Sequence, residues 1–175
     1  MAPERHTPPL LGFAAWSGTG KTTLLVSLLP LLREQGLRIA VIKHAHHEFD
    51  IDKPGKDSYE LRKAGAEQML IASSRRWALM TENPTEAEPE IETLIDKLDP
   101  ERYDLILVEG FKQAAIPKIE LHRAVVGKPL FFPQDPNIIA VATDAPLTET
   151  TELPVLDINA PADIAAFIIR NLINR

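Results

Sequence analysis

The ten residues Ala14–Thr23 read AAWSGTGKTT. They follow the apolar run Leu10–Ala15 and lead directly into Leu24, Leu25, Val26, Leu28 and Leu29, so they sit where a strand turns into a helix. The stretch reads as a phosphate-binding loop. Gly18 and Gly20 let backbone N–H groups converge on phosphate oxygens, Lys21 places a positive charge at the β- and γ-phosphates, and the Thr22 hydroxyl can ligate Mg²⁺. A helix beginning near Lys21 adds unsatisfied amides and the positive end of its dipole. Where the usual pattern opens on a glycine this chain has Ala15. The extra methyl forbids little of the required backbone space, and the chemically committed Gly20, Lys21 and Thr22 are all present.

The surrounding sequence fits a helix-flanked sheet. Strands are predicted at Leu10–Ala15, Ile39–His44, Gln68–Ser73, Arg76–Met80, Leu105–Val108, Lys118–His122, Ile138–Ala142 and Pro154–Ile158. Helices are predicted at Thr22–Gln35, Ser58–Ala64, Glu86–Leu98 and Ala162–Asn171. Gly36 provides the stop of the first helix, and Asp57 with Glu60 three residues later reads as a capping box. The runs LILV (Leu105–Val108) and IIAVA (Ile138–Ala142) are continuously apolar rather than alternating, as in parallel strands covered on both faces. The expected fold is α/β and P-loop NTPase-like: a mostly parallel, helix-flanked sheet with an antiparallel hairpin extension.

Composition narrows the function. The 175 residues are 45% hydrophobic and contain no cysteine. That length suffices for one domain burying roughly 70% of its unfolded surface, with residues 1–9 as a flexible start. No disulfide framework or thiolate metal site is possible, which suits a reducing cytoplasm. No apolar run approaches the roughly 18 residues of a membrane span, and Met1–Pro9 lacks a signal-peptide core, so neither export nor insertion is expected. The net charge of −6 disfavours broad nucleic-acid binding by long-range repulsion.

In a parallel sheet, ligands bind beyond the carboxyl ends of the strands. Asp104 opens LILV and Glu109 closes it, which puts the two roughly 16 Å apart at about 3.3 Å per residue. Glu109 is therefore the expected second carboxylate of the site, contacting Mg²⁺ through water or orienting the attacking water. Gly110 beside it could let the backbone approach the γ-phosphate. After the second strand, His44, His46 and His47 lie close to Asp50 and Asp52. No standard metal-ligand spacing is met, and a loop whose aspartate, Asp52, reaches the nucleotide's Mg²⁺, with Lys53 and Lys56 as further anion contacts, is the favoured reading over a transition-metal site.

The segments AAWSGTGKTT, IKHAHHEFDIDKPGKDSYELRKAGA (Ile42–Ala66), RRWALMTE (Arg75–Glu82) and DLILVEGFK (Asp104–Lys112) together resemble the molybdopterin-guanine dinucleotide biosynthesis protein B family, small GTP-binding proteins. The resemblance runs from about Leu10 to about Asp157. It implies a guanine nucleotide-binding adapter in molybdenum cofactor maturation, working beside the guanylyltransferase that joins GMP to molybdopterin, with other molybdopterin-handling proteins as further candidate partners. It further implies a homodimer, weak Mg²⁺-dependent GTP hydrolysis, phosphate-loop roles for Gly18, Thr19, Gly20, Lys21, Thr22 and Thr23, and a second motif at Glu109 and Gly110; Ser17, next to Gly18, is a further candidate nucleotide contact. Weak turnover also follows from the residues, because no glutamine stands obviously placed to orient water and such a group or an arginine finger is worth about 10³- to 10⁵-fold.

The preference for GTP over ATP rests mainly on the resemblance. After IIAVA the chain offers Thr143 and Asp144, and Asp144 could accept from guanine N1 and N2 or simply start the turn before Pro146. Two other classes remain open, a P-loop small-molecule kinase and a histidine-loop metallochaperone. Arg170 and Arg175 on a terminal helix do not resemble a kinase lid, and stoichiometric metal without nucleotide would mark the chaperone. Finally, QMLIASSRRWALM (Gln68–Met80) reads as a hairpin whose Met69, Ile71, Trp77 and Leu79 supply a two-fold dimer face, or else fold back over the chain's own helices.

Overall fold

The apolar runs become strands in the computed structural model, which describes residues 7–45, 49–83 and 88–174. The strands are β1 (Leu10–Ala15), β2 (Ile39–Lys43), β3 (Gln68–Ala72), β4 (Trp77–Thr81), β5 (Leu105–Glu109), β6 (Lys118–His122), β7 (Ile138–Thr143) and β8 (Val155–Asp157). Six pair in parallel in the order β2-β5-β1-β6-β7-β8, and β3 with β4 forms a separate antiparallel pair. The central β1 thus has β5 on one side and β6 on the other. The chain divides into two compact units, Met1–His44 with Glu90–Arg175, and Ala45–Pro89.

In the first unit both sheet faces are covered, which explains the uninterrupted apolar runs. Leu11, Phe13, Leu105, Leu107, Ile119 and Leu121 point to one face, where Leu24, Leu28 and Leu32 of α1 (Lys21–Glu34) and Ile164 and Ile168 of α4 (Pro161–Ile168) cover them. On the other face Ile42, Ile106 and Val108 meet Ile91 and Ile95 of the short helix α3 (Ile91–Ile95). Alternation along β6 sends Lys118 and Glu120 to this second face, both almost wholly buried. Each charge has partners in the segment after β6. Lys118 Nζ lies 2.7 Å from Asp135 Oδ2, and the Glu120 carboxylate accepts the N–H groups of Phe131 at 2.8 Å and Phe132 at 2.9 Å. Burial pushes the Glu120 carboxyl up despite these bonds. Gly12 makes room for the lysine stem, since a Cβ there would stand 2.8 Å from Lys118 Cγ.

The helices differ from expectation mainly at their ends. α1 stops as expected, with Gly36 at φ +83° and its N–H bonded to the Arg33 carbonyl. The predicted helix Glu86–Leu98 shrinks to Ile91–Ile95: Glu90, just after Pro89, is an extended N-cap with ψ 140°, and after Ile95 the chain tightens into i→i+3 bonds at Lys97 and Leu98. Glu86 itself lies outside the described residues. α4 ends at Ile168 and continues as a π-helical turn, Ile169–Ile173, which carries Arg170. Arg175 lies outside the described residues.

In the second unit, α2 (Asp57–Lys63) starts at Asp57, so the N-cap is Lys56 and not Asp57. Glu60 still reaches back, accepting from the Gly55 N–H at 3.1 Å. The buried Arg62 guanidinium gathers Asp50, Asp52 at 2.7 Å and Glu82 at 2.7 Å, with the Tyr59 ring 5.5 Å away. The hairpin turns at Ser73–Arg76, where the Ser73 hydroxyl accepts the Arg75 and Arg76 amides. Its register corrects the expected apolar face. Directly opposed residues share a face, and Leu70 opposes Leu79 while Ala72 opposes Trp77. Leu70, Leu79 and Trp77 therefore stand together, 59%, 47% and 65% exposed, and Met69 and Ile71 belong to the opposite face with Met80 and Ala78.

Candidate nucleotide site

The loop after β1 is shaped by its own hydrogen bonds. The Trp16 carbonyl accepts both the Thr19 hydroxyl at 2.7 Å and the Thr19 N–H at 3.3 Å, which turns this side chain inward and closes the loop on itself. Ser17 and Gly18 are exposed, Gly18 at φ +84°. Gly20, at φ +89°, is the N-cap of α1, a left-handed conformation that a side chain would strain. The amides of Lys21, Thr22 and Thr23 open α1 without intrahelical partners, and no carboxylate in the first turn competes for them. The Thr22 and Thr23 side chains are exposed. Such a set fits phosphate oxygens, and the Thr22 hydroxyl fits a hard cation beside them.

Glu109 ends β5, next to β1 in the sheet, and its carboxylate meets two lysines. Lys21 Nζ is 3.5 Å from Oε1, and Lys43 Nζ from the end of β2 is 3.7 Å from Oε2. Lys21 and Glu109 are only 20% and 13% exposed, so this pair is less screened than a surface ion pair. Lys43 was visible in the sequence as a strand-end residue, yet its pairing required knowing that β2 neighbours β5. Gly110 follows at φ +105°, and a Cβ there would stand 2.9 Å from the His44 Cβ and 3.0 Å from its carbonyl oxygen. The glycine lets the ends of β2 and β5 meet, where the His44 N–H bonds the Glu109 carbonyl at 2.8 Å.

On the other side of β1, Arg123 follows β6 directly. Its Nε donates to the Thr19 carbonyl at 3.1 Å, Nη1 to Asp144 Oδ2 at 3.1 Å, and Nη2 to Asn159 Oδ1 at 2.9 Å. Asp144, just past β7, also accepts the Ala124 N–H at 3.1 Å. That amide holds Asp144 below the usual carboxylate range, with burial opposing and Arg123 reinforcing the effect. Sequence reasoning missed Arg123 and Asn159, although both stand just past strands.

It also missed Trp16, whose ring stacks on Phe131 with centroids 4.9 Å apart and whose Nε1 donates to the Pro129 carbonyl at 2.8 Å. The ammonium groups of Lys112 and Lys128 lie 5.1 Å and 5.7 Å from the Trp16 ring.

Asp52 lies in the Ala45–Pro89 unit, its carboxylate engaged by Arg62. The Arg62 guanidinium, against the cost of burial, holds Asp52 below the usual carboxylate range. His46 and His47 lie outside the described residues. Among the described residues no group of three or more His, Cys, Asp or Glu is arranged to hold a metal, and no helix is long and apolar enough to cross a membrane.

Residues 10–144 match the family model of molybdopterin guanine dinucleotide synthesis protein B. The molybdopterin-guanine dinucleotide biosynthesis adapter protein of Escherichia coli is 54% identical over 162 residues, 92% of this chain and 91% of that one. Its counterpart from Haemophilus influenzae is 47% identical over 161 residues, 91% and 87% of the two chains. Among solved structures, Bacillus subtilis MobB superposes with a TM-score of 0.74 at 25% identity, covering 94% of this chain and 98% of its own. A second structure, of molybdopterin-guanine biosynthesis protein B, gives 0.72 at 27% identity, covering 92% and 98%.

Proposed function

The chain belongs to the molybdopterin guanine dinucleotide synthesis protein B family, and we propose that it acts as its named relatives do, as an adapter in molybdopterin guanine dinucleotide synthesis that binds GTP with Mg²⁺. The observation that carries the nucleotide reading is the opening of α1: a left-handed Gly20, first-turn amides free of acidic competition, and Lys21 held at 3.5 Å from Glu109. In this reading Ser17–Thr23 wrap the phosphates, Lys21 neutralises the β- and γ-phosphates, and Thr22 with Glu109 holds the cation. Gly110 permits close backbone approach, and Asp144 accepts from the guanine edge. Asp52 enters as the partner of Arg62 in its own loop.

Hydrolysis is slow in this reading, because the residue after Gly110 is Phe111, whose ring lies 4.9 Å from that of His44 and offers no polar group to orient water. The partner is the guanylyltransferase that joins GMP to molybdopterin, and the compartment is the cytoplasm. Calorimetric titration with GTP, ATP, GMP and molybdopterin, with and without that enzyme, tests the whole. Tight GTP binding strengthened by the enzyme supports the adapter, whereas rapid phosphate transfer from ATP to a small molecule would favour a kinase.

A homodimer is part of the same proposal. Leu70, Leu79 and Trp77 form an exposed apolar face on an isolated two-stranded pair, the kind of surface that a second copy covers. The variants Leu70→Glu and Leu79→Lys are expected to elute as folded monomers that still bind GTP. Light scattering that finds both as dimers would remove this face as the interface.

A further inference from the structure

The geometry points to Arg123 as the residue that sets base selectivity, by holding Asp144 and Asn159 in the polarity that reads guanine and tying both to the phosphate loop at Thr19. The inference rests on the guanine reading of Asp144 given above. To that reading it adds a second base-reading side chain, Asn159, and a positioning residue for the pair.

A guanidinium only donates. Because Arg123 Nη2 lies 2.9 Å from Asn159 Oδ1, the amide is fixed with its oxygen toward Arg123 and its two N–H donors turned away. Guanine offers an acceptor, O6, where adenine offers the N6 donor. An asparagine held in this sense therefore favours guanine. Asp144 is fixed in the opposite sense. It has about four lone-pair positions; Arg123 Nη1 and the Ala124 N–H occupy one on each oxygen. The two that remain match the N1–H and N2–H donors of guanine.

Topology puts these groups on one edge. Arg123, Asp144 and Asn159 stand just past the carboxyl ends of β6, β7 and β8, neighbours in the sheet that continue outward from β1 and its phosphate loop. Through Nε, 3.1 Å from the Thr19 carbonyl, the same side chain is anchored to that loop. A lysine could not replace it, because a single ammonium on a flexible stem lacks the planar fork that reaches three acceptors from three loops.

Calorimetry on the full chain with Mg²⁺ and four probes, GTP, inosine triphosphate, ATP and inorganic tripolyphosphate, tests the proposal. Inosine lacks only the N2 amine, so its ratio to GTP reports Asp144, and the ratio to ATP adds the O6 contact. The wild type is expected to prefer GTP over inosine triphosphate by about tenfold or more, the worth of one hydrogen bond to a charged group. Arg123→Lys should bring both preferences down at least tenfold toward unity while tripolyphosphate affinity stays within about threefold. Asn159→Ala should lower the preference over ATP and leave that over inosine triphosphate intact.

If Arg123→Lys melts at a lower temperature but keeps both preferences, Arg123 is merely structural and the proposal fails. It fails equally if tripolyphosphate binding disappears in a folded Arg123→Lys, since the residue would then only brace the phosphate loop. The guanine reading itself fails in a separate way: a wild type indifferent between GTP and inosine triphosphate, or an Asp144→Ala variant that keeps the preference, overturns it and the proposal together.

Discussion

Lys21→Ala lowers the affinity for GTP with Mg²⁺ by about 10³-fold, roughly 4 kcal/mol, the range expected when one partner of a desolvated charge pair is removed. Two losses combine. The ammonium that would neutralise the β- and γ-phosphates is gone, and Glu109, which it holds at 3.5 Å, keeps its negative charge beside the incoming phosphates. Lys43 offers little relief, being 3.7 Å from the other carboxylate oxygen and largely exposed. The fold should survive, because Lys21 stands in the first turn of α1 and the core on that face is made by Leu24, Leu25, Leu28 and Leu32. Calorimetric titration together with circular dichroism decides the matter. A well-folded variant that binds GTP like the wild type would remove the phosphate-loop reading.

Glu109→Gln slows GTP hydrolysis by about 10²-fold, the lower range for losing a group that positions or deprotonates the nucleophile, and it leaves GTP affinity equal or slightly improved. The amide keeps the size of the side chain and can still meet the β2 end. It loses the charge that would hold water on a bound Mg²⁺, and it releases Lys21 from an ion pair that would compete with phosphate. The split between affinity and turnover is the informative part, since a residue that only shapes the strand end would change both or neither. Single-turnover assays at saturating GTP would show it, and wild-type turnover in the variant would return Glu109 to the role of a solvated strand end.

Much of this architecture was legible because burial on both faces writes itself into sequence. LILV and IIAVA could hardly be anything but covered strands, and β1 and β6 have the expected bounds. The turn from β1 into α1 was legible because its signal is local, with Gly18, Gly20, Lys21 and Thr22 inside five positions. Arg123 was not legible for the opposite reason. Its three acceptors come from Thr19, Asp144 and Asn159, far apart in the chain, and only the strand order brings them to one place. The hairpin shows an intermediate case. Its two strands were readable from their apolar runs, but which residues share a face depends on register, and register is set by the four residues of the turn.

The charges beneath the second sheet face carry an evolutionary consequence. Exchanging Asp135 first would strand the buried Lys118 ammonium, whereas Asp135, partly exposed, keeps two bonds from Asn137 when the lysine is lost, so a path of single changes must replace the lysine first. Gly12 is bound into the same arrangement, because the lysine stem fills the space that any larger residue there would need. Glu120 adds a further dependency, since its two bonds fix the backbone at Phe131, the ring on which Trp16 stacks. An exchange at Glu120 is therefore expected to be felt at Trp16, at the start of the loop after β1, through a ring that touches both.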